Sequence, residues 1–223
     1  MTRAQIIGTG SYLPEQVVTN ADLAKIVDTT DAWIVERTGI KERRKAADHE
    51  ATSDLAVKAA RQALELARTR PEDLDLIMVG TVTPDYPFPA CAAFVAHKLG
   101  ATKAFAFDLS AACAGSLYGL SVGAQYIGTG AAKRVLVIGA ELLTRIVDWT
   151  DRNTCVLFGD AAGAMVLGPS SDPERGLLST HLHIDGSQTE ILCIKTGGSK
   201  QPLTQDLVRQ LRAGDEDELH GGA

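Results

Sequence analysis

The chain has 223 residues, 45% of them hydrophobic and 22% charged, with a net charge of −6. This is the composition of a globular α/β protein with room for a sizeable core, and the acidic balance argues against a general nucleic-acid binder. No apolar run approaches the ~18 residues of a membrane-spanning helix, and the four cysteines stand far apart without a CxxC pair, which argues against a disulfide framework and against zinc-ligand spacing.

The chain opens in a strand-like run, Gln5 to Gly8, with no signal peptide ahead of it, and the expected location is the cytoplasm. Gly8-Thr9-Gly10-Ser11-Tyr12-Leu13-Pro14 then reads as a tight turn. A glycine pair after a strand suggests a dinucleotide loop, but the third glycine is missing and Pro14 stands where a helix should run. Thr19-Asn20-Ala21-Asp22-Leu23 is a capped helix start. Lys41, Arg43, Arg44 and Lys45 form a basic cluster that reads as a solvated face. Thr52-Ser53-Asp54 caps a strong helix carrying Leu55, Ala56, Ala59, Ala63, Leu64 and Ala67, and Pro71 ends its pattern. Leu74 to Thr81 reads as a buried strand. Pro84, Pro87 and Pro89 mark an irregular loop with Tyr86 and Phe88, and Ala90 to Leu99 is a short helix.

Ala104 to Leu120 is the most informative stretch. An alternating apolar run from Ala104 turns through small residues and becomes a helix to about Gly128, with Leu117, Leu120, Ala124 and Ile127 at helical spacing. Cys113 sits at that junction. Unpaired N–H groups point out of a helix's first turn and its dipole favours negative charge. A thiol there is biased toward the attacking thiolate, and the same N–H groups can hold an oxyanion developing on a bound carbonyl. A free cysteine is more often a small buried hydrophobe, so position alone leaves the two readings about even.

Arg134 to Gly139 is another buried strand, Trp149 to Asn153 a polar loop, Phe158 to Gly168 a turn and a strand, and Leu177 to Ile184 one more strand. From about Gly197 the chain is polar, and the acidic, glycine-rich tail Gly214 to Ala223 is expected to be disordered. Strands alternating with helices imply a mixed but mostly parallel sheet with helices packed on it. His181 and His183 would share one strand face, as metal ligands could, but no third ligand accompanies them and no metal site is expected. His49, His97 and His220 have no partner pattern.

Asp108-Leu109-Ser110-Ala111-Ala112-Cys113-Ala114-Gly115 resembles the active-site segment of β-ketoacyl-acyl carrier protein synthase III, the initiating condensing enzyme of bacterial fatty acid synthesis. The resemblance runs almost unbroken from Ile6 to about Glu190. It takes in the Gly8 to Pro14 stretch, Trp33 to Ile40, Phe158 to Ala164 and Ser179 to Gly186. It implies a thiolase-like α/β fold, of which residues 1–196 would be the first, N-terminal half of a layered αβαβα arrangement and 197–223 the start of a connection to a second half. It implies a homodimer without a tightly bound cofactor. It implies that acetyl-CoA acylates Cys113 and that the carbanion of decarboxylating malonyl-acyl carrier protein attacks the thioester.

The family's adenine clamp falls on Trp33 and Arg152, and Thr29 and Arg37 match positions at the nucleotide end of coenzyme A. Phe88, Leu143 and Phe158 match the acyl pocket, Phe88 being offered across the dimer interface. Without the resemblance Trp33 reads as a packing residue, Arg152 as a surface charge, and Leu143 and Phe158 as core. Lys41 to Lys45 would contribute to a dock for the acidic carrier. The family's catalytic histidine and asparagine lie in the second half, so the expectation is that this chain lacks them and cannot condense alone. Other readings are a chain completed by a complementary C-terminal half, a non-catalytic chain that binds coenzyme A, a starter-unit acyltransferase of polyketide-type metabolism and, more distantly, a cysteine hydrolase.

Overall fold

A computed structural model describes residues 2–213. The expected disordered tail from Gly214 and His220 lie outside these residues. The chain separates after Thr180 into two compact units.

The first unit is built on a five-stranded sheet and a two-stranded ribbon. In chain order it holds β1 (Ala4–Tyr12), β2 (Gln16–Thr19), α1 (Asn20–Leu23), α2 (Asp31–Thr38), β3 (Glu42–Lys45), α3 (Thr52–Leu66) and β4 (Leu76–Gly80). Then come α4 (Cys91–Leu99), β5 (Phe105–Leu109), α5 (Gly115–Gly128), β6 (Val135–Leu142), α6 (Arg152–Cys155) and β7 (Asp160–Pro169). The large sheet runs β1-β7-β6-β4-β5, and β2 pairs with β3. β4 is parallel to β5 and β6, whereas β7 is antiparallel to β6 and β1, so the sheet is evenly mixed rather than mostly parallel. A parallel return needs a long crossover, usually helical, and the connection into β7 carries only the four-residue α6.

Alternate residues of β4 and β6 face opposite layers, as the two-residue period of a strand requires. Ile77, Val79, Leu136 and Ile138 pack with α3 and α4. Leu76, Met78, Val135 and Val137 pack on the other side, with Ile127 and Leu120 of α5. Glycines of α5 come close to the sheet beside these side chains. A Cβ on Gly119 would stand 2.6 Å from Cγ1 of Val137, and one on Gly123 would stand 2.8 Å from Cδ1 of Leu167.

Several expectations change. Gly8 and Gly10 belong to β1, not to a turn. A Cβ on either would lie 2.2 Å from a carbonyl oxygen of α3, that of Ala63 or of Ala59, so glycine serves close backbone approach here. In the basic cluster, Arg43 is buried, donating to the Val18 and Val156 carbonyls and to Asn20 Oδ1. Thr52-Ser53-Asp54 is the first turn of α3 rather than its cap: Asp54 accepts from the Ala51 N–H at 2.8 Å, while Ser53 is held by Asp85. The polar loop before Asn153 becomes α6 from Arg152, capped by Asp151, which accepts from the Asn153 N–H. No strand forms over 177–184. Leu177 donates one backbone bond to Ala4, and nothing in the ladder continues it.

The Thr19 expectation holds. Thr19 caps α1 and its N–H is bonded in turn by Asp22. The second unit contains α7 (Gln205–Ala213) and a short 3-10 turn at Gly186–Gln188. His181 and His183 share no strand.

Candidate active site

β5 ends at Leu109, a 3-10 turn covers Ala112–Ala114, and α5 starts at Gly115. Cys113 therefore stands at the strand-to-helix junction that the sequence indicated. Ala112, just before it, has φ 44°. A left-handed conformation costs a non-glycine residue roughly 1–2 kcal/mol. The turn is held in it from both sides, and Cys113 is exposed. On one side Gly115 rests on the last residue of β4, since a Cβ on Gly115 would lie 3.0 Å from Cα of Gly80. On the other, the Thr81 N–H donates to the Leu109 carbonyl at 3.2 Å. No side chain caps α5; the N–H of its first residue, Gly115, is bonded to the Ala112 carbonyl of the preceding turn.

Cys91 and Cys155 have the opposite environment. Both are buried. Burial pushes the Cys91 thiol up, and the Asp85 and Asp108 carboxylates push it further. Burial also raises Cys155, with Asp151 adding to the effect and Arg43 opposing it. Cys193, also exposed, belongs to the second unit.

On α2, the Trp33 ring carries two guanidinium groups. Arg37 Cζ lies 4.5 Å and Arg152 Cζ 4.9 Å from its centroid. Arg152 also donates to the Asp28 carbonyl at 2.8 Å. The adjacent Thr29 hydroxyl oxygen is buried without a hydrogen-bond partner. Trp33, Arg37 and Arg152, separated by up to 119 positions, thus form one stacked group.

Leu143 and Phe158 are half-buried. One buried carboxylate governs both backbones. Asp160 accepts from Thr144 N–H at 2.9 Å, from the Thr144 hydroxyl at 2.7 Å and from Ala46 N–H at 2.8 Å. Phe88 is 87% exposed. Asp108 accepts from the N–H groups of Cys91 and Ala92 at 2.7 and 2.8 Å and so ties α4 to the strand leading to Cys113. The sequence reading missed Asp160 and Asp108. An isolated acid carries no local signal when its donors lie far away in the chain.

His49 and His97 are exposed, and His97 occupies the last turn of α4, at the far end from Asp108. Among the described residues no group of three or more His, Cys, Asp or Glu side chains could hold a metal ion. Among the same residues no helix is long and apolar enough to cross a membrane.

The family model described as 3-oxoacyl-[acyl-carrier-protein (ACP)] synthase III matches residues 107–186. A β-ketoacyl-[acyl-carrier-protein] synthase III of Thiobacillus denitrificans is 55% identical over 210 residues, which is 94% of this chain and 65% of that protein. The crystal structure of the β-ketoacyl-[acyl-carrier-protein] synthase III of Thermus thermophilus superposes with a TM-score of 0.79 at 47% identity, over 83% of this chain and 57% of that one. A priming β-ketosynthase from the R1128 polyketide biosynthetic pathway superposes with a TM-score of 0.75 at 42% identity, over 77% of this chain and 52% of that one. The chain spans less than two thirds of the length of these relatives. In sequence and in fold it matches the N-terminal portion of the β-ketoacyl-[acyl-carrier-protein] synthase III family, within the thiolase-like fold.

Proposed function

We propose that this chain carries the acyl-accepting part of a cytoplasmic, homodimeric β-ketoacyl-acyl carrier protein synthase III. The Cys113 thiolate attacks the carbonyl of acetyl-CoA, the new C–S bond forms as the old one breaks, and coenzyme A leaves as its thiol with the proton given up by Cys113. Malonyl-acyl carrier protein then loses CO2. Its carbanion attacks the acetyl thioester and releases Cys113, and the product is acetoacetyl-acyl carrier protein. Trp33 and Arg152 would take the adenine between a ring and a guanidinium plane, with Arg37 and Thr29 at the nucleotide. Phe88, Leu143 and Phe158 would wall the acyl group, Phe88 from the partner protomer. No tightly bound cofactor enters this scheme.

The observation that carries the reading is the exposed Cys113 at the uncapped start of α5, beside the left-handed Ala112. The condensation step also needs a group that polarises the malonyl thioester and stabilises its enolate. In the family reading these are a histidine and an asparagine of the second half, so the 223 residues alone acylate and do not condense. An intact-mass spectrum after incubation with acetyl-CoA tests this. One acetyl adduct, lost in Cys113→Ala, is expected. A folded protein without an adduct refutes the acyl-transfer reading. Binding of coenzyme A without turnover would then show as a higher melting temperature in its presence.

The similarity to a polyketide priming enzyme favours a second reading, a starter-unit condensing enzyme. Preference for a longer acyl-CoA over acetyl-CoA in the same assay would support it.

A further inference from the structure

The loop between β4 and α4 carries Phe88 and contains Pro84, Pro87 and Pro89. It is nevertheless tied down at its start, at Asp85 and Tyr86, and where α4 begins. At its start, Glu141 of β6 accepts from the Val82 N–H at 2.9 Å and from the Thr83 hydroxyl at 2.6 Å. The same hydroxyl accepts from the Leu142 N–H at 2.9 Å. In the middle, Asp85 accepts from the N–H and hydroxyl of Ser53 at 2.8 and 2.6 Å, and Tyr86 packs on Phe94 with ring centroids 5.7 Å apart. At its end Asp108 holds the first N–H groups of α4. Between these ties Phe88 projects, 87% exposed.

Glu141 is the anchor that the sheet itself does not require. The β6 ladder to β4 and β7 is closed by backbone bonds, and the carboxylate's described bonds all go to Thr81, Val82 and Thr83. Bonds to an ionised acceptor are shorter and about twice as strong as neutral ones. The same three-residue segment is bonded to Leu109, four residues before Cys113, through the Thr81 N–H.

We propose that Glu141 is a positioning residue: through Val82 and Thr83 it fixes the loop carrying Phe88 and so limits the acyl length accepted at Cys113. This rests on the acyl-pocket reading of Phe88 given above. A loosened wall admits longer chains, and a displacement of about 1 Å is enough to change rates severalfold or more.

The test uses the 223-residue protein and its Glu141→Gln, Thr83→Val and Thr83→Ser variants. Two quantities are read: amide exchange over residues 82–90, and adduct formation at Cys113 with acetyl-, butyryl- and octanoyl-CoA. Glu141→Gln and Thr83→Val are expected to speed exchange about tenfold and to raise the octanoyl-to-acetyl ratio about tenfold. Their double variant adds nothing further, and Thr83→Ser behaves as wild type. Unchanged exchange, or an equal loss with every acyl-CoA at a fixed ratio, overturns the proposal. If the wild type forms no adduct, the acyl reading fails, and with it the acyl-length role. The exchange data then still decide whether Glu141 holds the loop.

Discussion

Gly10→Ala puts the contact between β1 and α3 to a quantitative test. The added methyl would sit 2.2 Å from the Ala59 carbonyl oxygen, 2.6 Å from the Ala63 nitrogen and 2.7 Å from Cβ of Gln62. Unstrained heavy-atom contacts lie near 3.5 Å, so strand and helix must part by about 1 Å. Across that interface lies the buried α3 face of Leu55, Ala56, Ala59, Ala60 and Ala63. A gap of 0.5–1 Å already forfeits roughly a quarter to a half of each contact it opens. Overpacking costs about 1–3 kcal/mol when side chains can yield. Here the nearest obstacles are backbone atoms, so a loss of about 3 kcal/mol or more is expected. Gly163→Ala on β7 is the control, because a Cβ there meets nothing within 4 Å. It should be neutral or stabilising by about 0.5 kcal/mol. In urea, with a slope of about 2–3 kcal/mol/M, the Gly10 variant should lose about 1 M in midpoint and the Gly163 variant none. A Gly10→Ala midpoint within about 0.3 M of wild type would refute the close-approach argument. Equal losses in both variants would refute it too.

Alkylation of the native protein should label Cys113 and Cys193 and spare the buried Cys91 and Cys155 until denaturant is added, as read by peptide mass; equal labelling of Cys91 would contradict its burial. Burial opposes ionisation of Glu50, but the Lys58 ammonium, the Ala47 N–H and the Tyr12 hydroxyl outweigh it and hold the carboxyl below its ordinary 4.5. A depressed acid stabilises the fold above its unfolded value and loses that contribution as pH falls toward its folded one. The melting temperature should therefore drop as pH falls below about 4.5, and less steeply in Glu50→Gln than in wild type. Arg43→Lys should cost about 2 kcal/mol in urea melts, because one ammonium cannot replace a fork that reaches Val18, Asn20 and Val156; a loss under about 0.5 kcal/mol would show that the fork is dispensable.

The parts of this fold that could be read from the sequence are those whose cause is local. Helically spaced apolar residues marked α3, apolar runs marked β4 and β6, and the Thr19 cap marked α1. Gly8 and Gly10 were misread because a glycine pair in a turn and one under a helix look alike until α3, some fifty residues on, is in place. Arg43 was misread for the same reason, since its acceptors lie on two segments, at Val18 and Asn20 and at Val156. Leu177 to Ile184 has strand-like composition, but a strand exists only with a ladder partner, and none of these residues joins a ladder. At the site, the chain junction left Cys113 about even between nucleophile and buried thiol, and the resemblance decided it. Trp33 and Arg152 came from resemblance, and their stacking became visible only when α2 and α6 met. The carboxylates of Glu141 and Asp160 carried no signal at all.

The helix behind Cys113 shows what an apolar periodic pattern leaves out. Of Leu117, Leu120, Ala124 and Ile127, which identify a helix, the last three pack with the sheet residues and Leu117 is 56% exposed, while Gly115, Gly119 and Gly123 are buried against the sheet as well. Leu120 and Ile127 flank these glycines against β4 and β6. Glycine at every fourth position lets α5 rest on them, with Gly115 against Gly80 and Gly119 against Val137. Backbone contacts have no rotamers to adjust, so they fix the height of the helix start more narrowly than packed side chains would. The sulfur stands two residues before that first glycine contact. Its height above the sheet is thus set in part by the glycine contacts of the helix that follows it.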